Sequence, residues 1–594
     1  MKTPYSIQLS PNNRIKFVGL DTETQDGRAV LVATPNAYKL FPRSFAEIVY
    51  LLATERAPLV CYNMDYDARA ILTFLPQYHL CELAHFGSTK YRDMVSGREF
   101  SISYLSHKLL KITTPGLHKV EIYDCWQYYH TSLDVAGKTF SVDLQKIKVP
   151  KTWLVKMRSV LEDGRYQQRA IEYCQRDALV CERLFNALAK QFSALGIGFD
   201  KPLSTGSVVF AHYRKRLTSP LIEEQNNRYQ EIYFGGRMET FQRGYFATPT
   251  IYDLNSAYPA AIAKLPDPRT LFLRRGRTFN ENCTFGLYDI SANITERFIA
   301  PMALRSKGDG GDESLIYPTG TMRARVDKWT MQALMEIDAV ERLHYAEEWF
   351  AESDDLWFPE IAELYEERKA RPDIALAIKL VLNSLYGKLA ERRHLKRVLD
   401  RRPSADSLFF AGKFYRPLRA CTPHTNFLAA AHVTGYVRKQ LYDAIRSIDP
   451  EKVIYANTDS IITTEAIAGL DEGTGLGQWK VEARPDGLIV IGTGVYAYHT
   501  DNGWVNRFRG FHSRVNLVDV LRSKQRKTVV VPTTNSVSLL QAVEQKRLHE
   551  LNKIEPVKRI LNVNFDHKRH WSNSFQRAED VLSTSHTSMP FIAG

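Results

Sequence analysis

The chain has 594 residues, more than one hydrophobic core can organise, so about two to five domains are expected. Apolar residues make up 44%, which supports a globular over a disordered protein, and no uninterrupted run of about 18 apolar residues is present to span a membrane. Lys and Arg number 79 against 66 acidic residues, and the net charge of +13 favours a polyanionic partner, nucleic acid above all.

The N-terminus, MKTPYSIQLS, lacks the apolar segment of a secretory signal. The seven cysteines are dispersed, at 61, 81, 125, 174, 181, 283 and 421, with no CxxC pair. That pattern argues against structural zinc and fits reduced thiols in a cytoplasmic setting. From residue 1 to about 197, strand-like runs (RIKFVGL, PLVCY, VEIYD) alternate with helix-like ones and end in QQRAIEYCQRDALVCERLFNALAKQF, the pattern of an α/β unit. In the run FVGLDTET, Asp21 and Glu23 are two apart and share one face of a strand. Asp67 lies in YNMDYDARA behind Asn63, and Tyr173 and Asp177, four apart, share a helix face. Asp21, Glu23, Asp67 and Asp177 form a cage of hard oxygen donors suited to two Mg²⁺ ions roughly 3.5–4 Å apart, the spacing that cleaves phosphodiesters. Tyr173 would orient the attacking water. A lone DTE is ordinarily a solvated strand end; the ordered set DxE, NxxYD, YxxxD carries the reading.

Farther along, TIYDL reads as a strand that ends near Asp253, with Tyr258 after a turn, and RSKGDGGDES (305–314) reads as a loop. The segment 359–400 reads as helix until HLKRVLDRRPSAD breaks it. Within it Lys379, Asn383 and Tyr386 follow i, i+4, i+7 on one face, and Gly387 leaves room for a backbone or a base. Residues 451–515 are β-rich, and YANTDS (455–460), between KVI and IITTE, reads as a hairpin with Asp459 at its tip. The basic runs RRGR (274–277), ERRHLKR (391–397) and RSKQRK (522–527) suit phosphate tracking on a duplex, although each alone reads more often as a solvated face.

The three N-terminal motifs resemble those of the DnaQ-like 3′–5′ proofreading exonucleases, and DLNSAYP, KLVLNSLYG and YANTDS resemble motifs A, B and C of family B DNA polymerases. The resemblance implies an α/β and α+β multidomain chain: an RNase H-like exonuclease domain followed by a right-hand polymerase of palm, fingers and thumb with two insertions. The implied divisions are exonuclease 1–197, palm 198–264 and 424–525, an insertion at 265–355, fingers 356–392, a second, hairpin-like insertion 393–423 and thumb 526–594. The exonuclease begins almost at residue 1, so the large N-terminal domain of cellular replicative members is expected to be absent. EIYFGGR (231–237) resembles the YxGG motif of the protein-primed members of bacteriophages and linear plasmids.

Carried over residue by residue, the resemblance makes Asp253 and Asp459 the metal ligands of synthesis, and Asp21, Glu23, Asp67 and Asp177 those of proofreading, where Asn63 would contact single-stranded DNA. Leu254 and Lys379 would hold the triphosphate, Tyr258 would crowd a ribose 2′-OH, Asn383, Tyr386 and Gly387 would line the nascent pair, and Tyr496 would steady the primer end. The implied cofactor is Mg²⁺ at both sites, with Mn²⁺ able to substitute. The implied partners are primer-template DNA, single-stranded DNA, dNTPs and a terminal protein contacted by the first insertion. A monomer in the cytoplasm, that of the host for a viral chain, is expected, with no membrane association.

Two positions depart from the family pattern. Motif C ordinarily reads YxDTDS, and here Asn457 stands in for its first aspartate. The family's KxY motif falls on Gly494-Val495-Tyr496, without its lysine, and Arg507 or Arg509 would supply the charge. The leading expectation is an active polymerase with proofreading; the alternatives are a 3′–5′ exonuclease whose polymerase site is weakened or silenced by Asn457, and a non-catalytic DNA-binding scaffold.

Overall fold

The sheets of the protein are mostly antiparallel, with parallel pairing concentrated at the N-terminal end, and they divide the chain into the mixed α/β and α+β multidomain architecture expected of it. The computed structural model describes residues 17–140, 144–307, 313–405, 407–510, 513, 515–522 and 526–593. Most of the N-terminal stretch, the middle of the 305–314 loop, part of the 522–527 basic run and several side chains of the 391–397 run lie outside the described residues.

The N-terminal unit is a six-stranded sheet in the order Val18–Gly19, Leu59–Cys61, Val120–Asp124, Leu109–Thr113, Glu99–Leu105, Ser88–Arg92, the first three strands being parallel. The helix Gln167–Ala194 lies across it, with Ala178, Cys181, Leu184, Phe185 and Leu188 buried. Its closest approach is at Gly19, where a Cβ would fall 1.8 Å from the Ala178 carbonyl oxygen. Only a residue without a side chain admits the helix so near the strand end that carries Asp21.

The centre of the molecule is a five-stranded antiparallel sheet in the order Arg237–Thr240, Val453–Thr458, Ser460–Thr463, Thr250–Leu254, Trp479–Ala483. The buried helix Phe427–Arg446 contributes Val437, Leu441, Tyr442 and Ile445 to the core behind it. Two helices, Ile361–Ala370 and Ala375–Leu389, stand next to this sheet. The helical reading of 359–400 is corrected here: helix gives way after Leu389 to the strand Arg392–Leu399, which pairs with Lys413–Cys421. Helix-forming side chains are numerous in that stretch, but ladder pairing with a partner strand overrides propensity.

A separate sheet, Leu271–Gly276, Val340–Ala351, Phe285–Ile294 and Thr319–Asp327, is formed by the stretch of sequence between the strand Thr250–Leu254 and the two helices. The C-terminal stretch does not stay in one body. The ribbon Thr528–Ser536/Ile554–Asn562 buries Val529, Val531 and Leu561 against Leu517, Val518 and Leu521, whereas Ser585–Met589 returns to pair with Gln242–Phe246 and Ile592 pairs with Thr319. Between the ribbon's strands, Val537, Leu539, Ala542 and Leu551 join the core of the N-terminal unit, and Val537 O accepts a hydrogen bond of 2.6 Å from Arg69 Nη1.

Candidate active sites

In the N-terminal unit, the strand Asp21–Gln25, the helix Met64–Leu72 and the helix Gln167–Ala194 bring Asp21, Glu23, Asp67 and Asp177 together. Asp67 accepts hydrogen bonds from the Thr22 N–H (3.0 Å) and hydroxyl (2.7 Å), which ties its helix to the strand between the two acidic residues. Burial, then repulsion from Asp67, Asp177 and Glu23, holds the Asp21 carboxyl well above the usual range. Burial and the Asp177 charge push Glu23 up to about 8, and burial pushes Asp67 up to about 7 despite the Thr22 hydrogen bonds. Asp177 is also raised by burial, against the pull of Lys146, whose Nζ lies 2.5 Å from it. Tyr173 hydrogen-bonds Asp177, its neighbour one turn along the helix. The Asp177 Oδ1 atom is buried with no protein partner. Four crowded carboxylates, one orphaned oxygen and an all-oxygen donor set fit hard divalent cations. Cys174 Sγ is within 4.8 Å of donors of Asp21 and Glu23, but burial raises its thiol well above the usual range, so it stays protonated.

Asn63 sits at the start of its helix with a left-handed backbone, φ 68°, and donates its N–H to Asp124 Oδ1 at 3.1 Å. Asp124, pushed up to about 6 by burial, is a further carboxylate that motif reading missed. Lys146 was missed too: it precedes Asp177 by a long stretch of chain, and no local spacing rule links them.

The central sheet builds the second site. Asp253 lies opposite Ser460 in the strand register, and the Leu254 N–H donates to the Asp459 carbonyl at 2.9 Å. Thr458, at φ 63°, turns the chain between the two strands and leaves Asp459 at the tip. Burial and the Asp253 charge push the Asp459 carboxyl up to about 6. A cavity of about 620 Å³ opens between sheet and helices. It is lined by Asp253, Leu254 and Asp459 on one side and by Arg368, Lys379 and Asn383 on the other. Acids facing cations across a cavity fit a metal–phosphate ligand. Among the described residues Asn457 does not line this cavity; its backbone carbonyl accepts from the Asp459 N–H at 2.7 Å within the turn.

Tyr258 and Tyr386 stack with centroids 4.3 Å apart, both within electrostatic reach of Asp459. The reason for the YFGG sequence is visible here. A Cβ on Gly236 would fall 2.8 Å from both the Tyr258 hydroxyl and Thr458 Cγ2. Gly387 faces open space. Lys480, unforeseen from sequence, lines the cavity with its Nζ 3.0 Å from Asp253 Oδ2.

Tyr496 lies opposite Arg507 in the strand register, with its ring 5.6 Å from Tyr455. Arg509 packs over Gly494 and its Nη1 reaches Met238 Sδ at 2.9 Å. Lys568 Nζ donates to the Met238 carbonyl at 3.1 Å, a cation at the same place that sequence did not disclose. Met238 is in turn the register partner of Asn457.

Residues 165–399 match the profile of the DNA polymerases of type B, organellar and viral. The chain is 24% identical over 441 residues to the DNA polymerase of Acidianus bottle-shaped virus (isolate Italy/Pozzuoli), covering 70% of this chain and 61% of that protein. It is 22% identical over 496 residues to the DNA-directed DNA polymerase of Enterobacteria phage PRD1, covering 77% and 76%. Among solved structures, Phi29 DNA polymerase complexed with primer-template DNA and incoming nucleotide superposes with a TM-score of 0.65 at 14% identity, over 92% of this chain and 100% of that one. The same enzyme complexed with single-stranded DNA gives 0.63 at 15% identity, with the same coverage. In sequence the chain is similar to type B DNA polymerases of the organellar and viral kind, and in fold to Phi29 DNA polymerase. Among the described residues no helix is long and apolar enough to cross a membrane.

Proposed function

We propose that the chain is a DNA-directed DNA polymerase with a 3′–5′ proofreading exonuclease. The observation that carries the reading is the cavity between Asp253 and Asp459 on the sheet and Arg368, Lys379 and Asn383 on the helices. In it Asp253 and Asp459 would hold divalent ions, Mg²⁺ in the first instance, which neutralise charge at the transferring phosphate when bound. Lys379 and Arg368 would bind the triphosphate of an incoming dNTP, assisted by the Leu254 backbone. Asn383, Tyr386 and Gly387 would line the new base pair, and the Tyr258 ring, held against Tyr386, would exclude a ribose 2′-OH. Tyr496, with Arg507, Arg509 and Lys568 nearby, would steady the primer terminus.

In the N-terminal site Asp21, Glu23, Asp67 and Asp177 would hold the ions, Tyr173 would orient the attacking water, and Asn63 would contact the frayed single strand. Lys146 would temper the charge at Asp177. The divisions at 1–197, 198–264, 265–355, 356–392, 393–423, 424–525 and 526–594 would then be exonuclease, palm, first insertion, fingers, second insertion, palm and thumb. The C-terminal strand Ser585–Met589 would be palm by its pairing. Protein priming by a terminal protein against the 265–355 insertion, and a monomer acting in host cytoplasm, complete the reading.

The test is primer extension and end degradation by the intact protein beside two variants. Asp253→Ala should abolish extension and leave degradation; Asp21→Ala with Glu23→Ala should do the reverse. Extension that survives Asp253→Ala would refute the polymerase site, and degradation that survives the double change would refute the nuclease site.

A further inference from the structure

We propose that Lys480 is a resident counter-cation of the polymerase metal site, which holds Asp253 in the resting enzyme and competes with divalent ions for it. This rests on the polymerase reading above. Lys480 is on the strand Trp479–Ala483, whose register sets it directly opposite Asp253. Its Nζ lies 3.0 Å from Asp253 Oδ2, and its side chain is 44% exposed, so it has solvent to move into when displaced. An ammonium on a flexible four-carbon stem exchanges partners readily, unlike a guanidinium locked in a two-pronged pair.

The charge inventory gives the pair its meaning. Oxygen-donor sites set their affinity for hard cations by the number of charged ligands. Here Lys480 adds a positive charge on one of the two carboxylates that line the cavity, Asp253 and Asp459. Without nucleotide those two carboxylates face Lys480 together with Arg368, Lys369 and Lys379 across the cavity, which weakens their pull on a metal. Lys480 also offsets the repulsion between Asp253 and Asp459.

The test is Mn²⁺ binding without nucleotide, read by the electron paramagnetic resonance of the free ion. The full-length protein would carry Asp21→Ala and Glu23→Ala to silence the N-terminal carboxylates. Adding Lys480→Ala should tighten Mn²⁺ binding several-fold, Lys480→Arg should not, and Asp253→Asn should remove the gain. Binding in the Lys480→Ala protein no tighter than in its parent overturns the role of Lys480. Tight binding that survives Asp253→Asn instead overturns the assignment of Asp253 to the metal, a failure of the underlying reading that primer extension checks separately. Lys480→Gln, which keeps a polar stem, repeats the measurement should the alanine protein lose its circular-dichroism spectrum.

Discussion

Glu23 and Asp67 set the chemistry of the N-terminal site at the scale of single residues. The Glu23 carboxyl ordinarily titrates near 4.5 and is pushed up to about 8 in the folded protein. A carboxyl raised on folding favours the native state while protonated: that contribution is full below its unfolded value and is lost as pH rises through the folded one. Metal-free protein should therefore lose thermal stability between about pH 5 and about pH 8. Mg²⁺ should reverse the loss, and Glu23→Gln should reduce it. Calorimetry with and without chelator reads all three, and a melting temperature that rises across this window in chelator would contradict the crowding of the four acids. The motif residues were legible because each set is local: DxE on one strand, YxxxD on one helix, KxxxNxxY on another. Lys146, Lys480 and Lys568 were not legible, because register and tertiary packing bring them to their partners, and neither leaves a trace in spacing.

Two close approaches between elements carry the same lesson. Gly19 looks like an ordinary strand glycine, yet it admits the helix that delivers Tyr173 and Asp177. Gly19→Ala forces strand and helix apart, an overpacking that costs about 1–3 kcal/mol or more, and nuclease activity should fall with stability. Denaturant unfolding and end-degradation rates check both together. The sheets meet at Glu239, buried between Arg237 and Arg569; burial raises its carboxyl, but the two cations more than offset this and hold it below the usual range. Arg569→Ala leaves that charge half-compensated and should destabilise the protein by about 3–5 kcal/mol in denaturant unfolding. The strands TIYDL and YANTDS could be read from their own residues. The strand Arg392–Leu399 could not, because its stabilising partner, Lys413–Cys421, lies beyond a turn and its own residues favour helix.

Over the whole molecule, the N-terminal unit touches both the 392–421 hairpin and the C-terminal ribbon region. Phe410 packs against Tyr78 and Phe86 of the helix Gln77–Phe86, with centroids 5.7 and 5.4 Å away, and Tyr415 lies 4.9 Å from Phe86. The helix Leu539–Glu544 buries Leu539 and Ala542 in the same unit from the other side. Such pairs contribute about 0.5–1.5 kcal/mol each and together hold the hairpin against the N-terminal unit. Phe410→Ala should loosen that contact, read as faster backbone hydrogen exchange in Lys413–Cys421; unchanged exchange would contradict a docking role. This contact between distant segments was not legible in the sequence, since aromatic residues in a β-hairpin read the same whether they cover a neighbour or face water.

Asp253 and Asp459 line the cavity and Asn457 does not, so the two aspartates are proposed to suffice for synthesis although Asn457 stands where the family pattern has a carboxylate. The measurement is extension of a primed single-stranded template with dNTPs and Mg²⁺ or Mn²⁺ by the unaltered protein, beside Asp459→Ala and Asn457→Asp. The unaltered protein should extend the primer, Asp459→Ala should not, and Asn457→Asp should change the metal preference more than the capacity to extend. Degradation without extension by the unaltered protein, converted to synthesis by Asn457→Asp, would contradict the claim and leave a nuclease whose polymerase site the asparagine has silenced.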